Sequence, residues 1–117
     1  MIALAFAVAI GAFDPSASAA EVCRPSYAHA HRNVPRALRD RVYAAAGVPR
    51  GQRRGWVIDH IIPLELGGTN AVANLAAQPR AVARTKDRDE NRLHAAVCSG
   101  SLSLAAARSE LLRKWKR

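Results

Sequence analysis

The sequence predicts a small α+β domain in which two short extended segments lie among helices. The chain has 117 residues, enough for one small domain, and only 5% of them are aromatic, which excludes a large hydrophobic core. One run of β-branched residues, 56–62, is bounded by glycine and proline, as strands commonly are. Apolar residues recur at helical spacing through the second half, which argues against a disordered chain.

The amino terminus is similar to a secretory signal peptide. Residues 1–13 form an uncharged apolar run, and residues 16–20 are the small residues of an A-x-A-like cleavage site. The run is too short for a stable membrane-spanning helix, so no membrane insertion is expected after cleavage. We therefore predict a signal peptide at 1–20, one domain at 21–117 and a periplasmic or secreted location. An uncleaved anchor is the alternative.

Two cysteines, Cys23 and Cys98, stand at opposite ends of the predicted domain. Export to an oxidising compartment favours a disulfide between them. The alternative is a pair of inert buried thiols. Neither cysteine has the C-x-x-C spacing that is typical of a zinc ligand.

The first half of the domain is predicted to hold one helix and one strand. The helix begins at Pro35, presents Leu38 and Val42 on one side and ends at Gly47. Residues 49–55 predict an exposed basic loop, and the β-branched run at 56–62 predicts the strand.

The second half is predicted to be extended and then helical. Glycines at 67 and 68 mark a turn, and a second extended segment holds Leu75 and ends by Pro79. A long charged helix is expected from about residue 82 to 98. A final helix starts near Ser103, a plausible N-cap, and buries an apolar side made of Leu104, Leu111, Leu112 and Trp115.

Candidate chemistry lies between residues 59 and 94. Asp59 and His60 sit together on the apolar strand, where a charged carboxylate and an imidazole are costly to bury without partners. A purely structural pair is the alternative. On the long helix, residues 87, 91, 94 and 98 lie within about 40° of one line, with Glu90 at the edge of this stripe. Leu93 and Val97 lie beyond it on the expected core face.

An ordered set of motifs carries a family resemblance. Residues 59–70 read DHIIPLELGGTN, and N-L follows at 74–75. The helix then continues the pattern with Lys86, Asp87, Glu90, Leu93, His94, Val97, Cys98 and Gly100. Together these residues resemble the HNH endonuclease family, and in particular small exported bacterial HNH-type proteins. The resemblance implies a ββα-metal finger flanked by helices.

The resemblance also implies roles for the residues of the finger. His60 matches the general base, and an ordinary histidine pKa near 6.5 suits proton abstraction at neutral pH. Asn74 matches the asparagine that holds the finger loop and orients the base. Asp59 matches a metal ligand whose hard oxygen donor suits Mg²⁺ or Mn²⁺.

The helix ligand that completes the metal site is less determined by the pattern. We favour His94, then Glu90, then Asp87, because His94 and Glu90 are one helical turn apart. Asp87 with Asn91 is the competing pair, and solvated helix charges are the simplest alternative for these acids. The zinc-knuckle cysteines of many HNH proteins are absent, so no structural zinc is expected.

The charge balance predicts a polyanionic partner. The formal net charge is +9 and the isoelectric point is near 11.0. A phosphate-binding surface is predicted from Arg53, Arg54, Arg80, Arg84 and Lys86. We expect a monomeric metal-dependent endonuclease of low sequence specificity that acts on DNA, with RNA as the alternative substrate and an inhibitor protein as a further partner. The alternative is a noncatalytic nucleic-acid- or envelope-binding protein with a degenerate finger.

Overall fold

The computed structural model describes residues 16–115, so the apolar run at 1–13 lies outside the described residues. Helices α1 (Ala19–Val22), α2 (Tyr27–His31) and α3 (Arg36–Ala45) come before strand β1 (Trp56–His60). Strand β2 (Leu75–Pro79), helix α4 (Arg80–Cys98) and helix α5 (Leu104–Lys114) follow. The predicted α+β class is confirmed.

The two strands form an antiparallel sheet in which His60 lies opposite Leu75 and Trp56 lies opposite Pro79. Strand β1 ends at residue 60, two residues before the predicted end. The chain turns inward there, because the Ile62 backbone N–H donates to the Asn74 side chain at 2.8 Å. Helix α4 starts directly after β2. The order is therefore strand, loop, strand and helix.

The loop between the strands carries part of the hydrophobic core. Ile62 and Leu66 from this loop pack with Leu93 and Val97 of α4 and with Leu111 of α5. All five side chains are buried. Each such burial stabilises the fold by about 1.5–3 kcal/mol. This packing holds the loop against α4 and α5 and thereby determines where β1 ends.

The predicted turn at Gly67 and Gly68 is confirmed and has a steric reason. Gly67 has a left-handed backbone with φ of 82°, which costs glycine little. At Gly68 a Cβ atom would collide with the carbonyl oxygen of Ile62. The Gly68 N–H also donates to the Pro63 carbonyl at 2.9 Å. The close passage of the loop over itself therefore needs a residue without a side chain.

The predicted helices are confirmed, with shifted boundaries. Helix α3 follows Pro35, and helix α5 is capped by Ser103, whose hydroxyl accepts from the Ala106 N–H at 3.1 Å. Helix α4 begins at Arg80, about two residues earlier than expected, since Pro79 is a suitable residue to precede a first turn.

Among residues 16–115, five short elements were not predicted, and two of them are the 3₁₀ turns Leu64–Leu66 and Val72–Asn74. The segment 49–55 was predicted as a loop, and Arg50–Gly55 forms a 3₁₀ helix instead. Helix α1 is stabilised by a capping box between Ser18 and Glu21, and α2 is a single short turn of helix. Helices this short depend on tertiary packing and leave little periodicity in a sequence.

The predicted disulfide between Cys23 and Cys98 is confirmed, with the two Cα atoms 5.7 Å apart. It joins the segment after α1 to the last residue of α4, across 75 positions of sequence. Among residues 16–115, no helix combines the length and apolar character needed to cross a bilayer.

Candidate active site

Asp59 and His60 lie in one cleft at the carboxyl end of strand β1. Neighbouring residues of a strand point to opposite faces, so two such side chains can share a site only where the strand ends or bulges. These are the last two residues of β1, and both line a cleft of about 350 Å³. Both are buried, with exposed fractions of 7% and 5%.

Asn70 orients His60. The Asn70 side-chain amide donates from Nδ2 to the His31 carbonyl at 2.7 Å, and its Oδ1 accepts from the Asn33 backbone N–H at 3.2 Å. These two contacts fix which end of the amide is oxygen. Oδ1 lies 3.0 Å from His60 Nε2, so Nε2 carries the proton and donates it. Nδ1 is then the unprotonated nitrogen of the neutral ring.

The cleft keeps His60 neutral. Burial lowers the pKa of His60 below 6.5. The hydrogen bond to Asn70 and the charge of Asp59 raise the pKa of His60, whereas the cations of Arg32 and Lys86 lower it. The imidazole is therefore in its proton-accepting form at pH 7, which a general base requires.

Asn74 holds the loop between the strands. Its side chain is fully buried; Oδ1 accepts from the Ile62 N–H at 2.8 Å, and Nδ2 donates to the carbonyls of Ile62 at 2.9 Å and Thr69 at 2.8 Å. Its backbone carbonyl accepts from the Ile61 N–H at 2.8 Å. The loop-holding part of the prediction fits this geometry. The orienting part is wrong, because the side chain bonded to the His60 ring is that of Asn70.

Three carboxylates meet beside the base. Asp59 from β1 and Asp87 and Glu90 from α4 each offer an oxygen, and these oxygens lie within 4.8 Å of one another. Asp59 and Glu90 are buried and Asp87 is exposed. The strand end and one turn of the helix together build this cluster.

Lys86 lies inside the carboxylate cluster with no exposed surface. Its Nζ is 3.1 Å from Asp59 Oδ2, donates to Glu90 Oε2 and donates to the His60 carbonyl at 3.0 Å. An ammonium group has three protons, and here each has an acceptor. The prediction of Lys86 as a phosphate-binding surface residue is wrong, because this side chain is an internal counterion.

Glu90 is the carboxyl group most altered by this environment. Burial raises the pKa of Glu90 to about 8, although Lys86 opposes the rise. The charges of Asp59 and Asp87 act in the same direction as burial. The cluster therefore holds an extra proton at neutral pH, and an added cation would release it.

The carboxylate cluster fits a hard divalent ion in donor type and spacing. Carboxylate oxygens are the ligands that Mg²⁺ and Mn²⁺ prefer, and Asp59, Asp87 and Glu90 would hold the ion. Such an ion would share two of these carboxylates with the Lys86 ammonium. Binding is therefore a competition between the ion and an internal cation.

His94 lies elsewhere. Its Nε2 is 3.0 Å from the Val22 carbonyl and its Nδ1 is 3.7 Å from Glu65 Oε2. Residues 87 and 94 share a helix side, but seven residues at 1.5 Å each separate them by about 10 Å along the axis. The preference for His94 as the helix ligand is therefore wrong, and Asp87 and Glu90 are the residues that meet Asp59.

The predicted basic surface divides into two groups. Arg80 and Arg84 line the cleft, and Arg32 joins them from the segment after α2. Arg53 is engaged elsewhere: its guanidinium pairs with Asp40 at 2.7 Å and lies over the Tyr43 ring at 4.5 Å.

Arg54 contacts the cleft residue Arg80 through its backbone. Its carbonyl accepts from Arg80 Nη2 at 3.2 Å, and its side chain is exposed. Of the five predicted phosphate-binding residues, Arg80 and Arg84 are those that line the cleft.

The sequence interpretation missed three residues of the site. The inward position of Lys86 could have been found, since it is seven residues before Leu93 and thus on the core face of α4. Asn70 lies in the 59–70 motif but was assigned no role, because its partners at 31–33 are distant in sequence. Arg32 carried no local signal.

Comparison with family models, curated proteins and solved structures found no match to this chain.

Proposed function

We propose that this protein is a metal-dependent endonuclease that hydrolyses phosphodiester bonds of DNA with little sequence specificity. The observation that carries the proposal is a buried histidine bonded to Asn70 in a cleft that also presents three carboxylates and three arginines. The resemblance of the 59–100 motifs to the HNH family supports the same activity.

The side chains of the cleft have distinct roles in this proposal. Arg32, Arg80 and Arg84 bind phosphate oxygens and set the register of the backbone in the cleft. His60 accepts the proton of the attacking water at Nδ1, while Asn70 keeps the opposite nitrogen protonated. A divalent ion held by Asp59, Asp87 and Glu90 would supply Lewis-acid stabilisation of the charge that develops on the phosphate.

The substrate is identified by its charge rather than by its bases. Three cleft arginines predict that log K for DNA falls with log salt with a slope of about −3. Aromatic residues that could stack on bases do not line the cleft of residues 16–115, in agreement with low specificity. A flat salt dependence would contradict this electrostatic account.

Plasmid cleavage tests the activity. Supercoiled plasmid is incubated with the full chain in Mg²⁺, in Mn²⁺ and in chelator, and nicking is measured on a gel. We expect nicking that needs metal, is abolished in His60→Ala and is retained in His29→Ala. His29 is an exposed histidine on α2, so its variant controls for the loss of a histidine, and the loss of nicking in His60→Ala excludes a contaminating nuclease.

A noncatalytic nucleic-acid-binding protein is the second candidate function. It is favoured by the Lys86 ammonium, which already satisfies Asp59 and Glu90. Salt-dependent DNA binding without nicking in any metal would select it over the nuclease.

We also propose that the protein is exported after removal of residues 1–20. The disulfide supports this, because such bonds persist in oxidising compartments. Mass spectrometry of the protein from cell and extracellular fractions tests it, with an amino terminus near residue 21 as the expected result.

A further inference from the structure

The carboxyl end of α4 places a histidine against the disulfide. His94 Nε2 lies 3.5 Å from Cys98 Sγ. One donor atom each from Cys23, His94 and Cys98 lie within 4.8 Å of one another. None of these residues belongs to the carboxylate cluster.

A carboxylate lies behind the imidazole. Glu65 Oε2 is 3.7 Å from His94 Nδ1, on the ring nitrogen opposite to the one near sulfur. Histidines that bind metal through one nitrogen commonly donate from the other to a carboxylate, which fixes the tautomer. Glu65 is half-buried at this position.

The spacing of one donor pair, His94 Nε2 and Cys98 Sγ, suits tetrahedral zinc. Bonds of about 2.3 Å to sulfur and about 2.0 Å to nitrogen at a tetrahedral angle place the two donors about 3.5 Å apart. His94 and Cys98 already have that separation. They lie one turn apart on a 19-residue helix, so their spacing does not depend on the disulfide.

The third donor is held in place by packing. Val22, next to Cys23, is only 1% exposed, and the Arg24 N–H donates to the Glu21 carbonyl at 3.1 Å, a contact that remains when residues 1–20 are removed. The segment that carries Cys23 therefore has contacts of its own. Reduction leaves two thiols facing one imidazole.

We propose that reduction of the Cys23–Cys98 disulfide creates a zinc site made of both cysteine thiolates and His94 Nε2, with Glu65 orienting the histidine. A dithiol reductant supplies two electrons and two protons, which yields two protein thiols and a reductant disulfide. Zn²⁺ then displaces both thiol protons.

One hydrogen bond changes on binding. In the disulfide form, His94 Nε2 donates to the Val22 carbonyl at 3.0 Å. In the zinc form, Nε2 presents its lone pair to the ion, and Nδ1 carries the proton toward Glu65. The fourth coordination position of the zinc ion stays open to water, as in zinc sites with three protein ligands.

Cobalt spectroscopy tests the site on the full chain. The protein is reduced with a phosphine under nitrogen and titrated with Co²⁺, and thiolate-to-cobalt charge transfer is recorded in the near ultraviolet. We expect a band that saturates at one ion per chain and is bleached by Zn²⁺. The oxidised protein is the control and should show no band, which separates this site from the carboxylate cluster.

Two variants test the assigned ligands. His94→Ala should weaken Zn²⁺ binding strongly, and Glu65→Ala should weaken it about 10- to 100-fold. His29→Ala, which alters an exposed histidine, should leave it unchanged. Equal affinity in His94→Ala would overturn the site, and equal affinity in Glu65→Ala would overturn the orienting role.

Reduction is also followed by circular dichroism. If the reduced chain loses helical signal, recovery of that signal together with the cobalt band on adding Co²⁺ supports the proposal. Absence of a charge-transfer band, in a folded or an unfolded reduced chain, overturns it. Neither result depends on nuclease activity.

Discussion

Replacing Lys86 with methionine removes one buried charge and little else. Methionine keeps the unbranched stem, while the ammonium that bonds Asp59, Glu90 and the His60 carbonyl is lost. Breaking a buried ion pair by removing one partner costs about 3–5 kcal/mol. Since Glu90 has a pKa of about 8 and is mostly protonated at pH 6, one uncompensated carboxylate remains. We therefore expect a loss near the lower limit, about 3 kcal/mol.

Urea and thermal unfolding at pH 6, with the disulfide intact, measure this loss. For a domain of this size, about 3 kcal/mol corresponds to a fall in Tm of about 12–24 °C. Arg88→Met on the exposed side of the same helix is the matched control and should change stability by less than about 0.5 kcal/mol. A Lys86→Met loss below about 1 kcal/mol would refute the assignment of Lys86 as an internal counterion.

The same variant reports on the metal site. Without the ammonium, Asp59 and Glu90 are released to a divalent ion, so Mn²⁺ should stabilise Lys86→Met more than the wild-type protein. An ion at ten times its Kd adds about 1.4 kcal/mol to the free energy of unfolding. Equal stabilisation of both proteins would show that the ammonium and the ion do not compete.

Three further measurements address other parts of the structure. Asn74→Ala should cost about 2–4 kcal/mol in urea unfolding, because it removes two buried hydrogen bonds and one partly buried hydrogen bond of the loop. Deleting the disulfide with the double change of Cys23 and Cys98 to serine should cost about 4.5 kcal/mol, the loop-closure value for a separation of 75 residues. The pKa of Glu90 is higher in the folded than in the unfolded protein. The contribution of Glu90 to the free energy of unfolding is therefore complete below about pH 4.5 and is lost as the pH rises through about 8. The free energy of unfolding of Glu90→Gln should depend less on pH across this range.

Short-range patterns predicted the elements that form the frame of the site. The β-branched run predicted β1, and the spacing of Leu93, Val97 and Leu111 predicted the buried sides of α4 and α5. These signals are visible because each element has one apolar side and a strong period. The position of Asp59 and His60 at the strand end did not follow from the pattern, because the apolar run continues to residue 62 whereas β1 ends at His60.

Long-range contacts could not be predicted in the same way. Asn70 reaches His31 and Asn33 across almost forty residues, and no periodicity connects them. The His94 error has a different cause. A helical projection shows which side of the helix a residue faces but not its position along the axis. Residues that share a side can therefore be too far apart along the axis to share an ion.

The buried charges on α4 are the strongest sign that this structure was not shaped by packing alone. Lys86 and Glu90 lie on the same helix face as Leu93 and Val97, where an apolar pair of similar volume is often as stable or more so. A core with no other task would gain by holding apolar residues at these positions. Instead the Lys86 ammonium, which also bonds Glu90, holds Asp59 and the His60 carbonyl beside an arginine-lined cleft. The desolvation cost of the two buried charges is explained if the cleft must hold a base, a cation and a phosphate together.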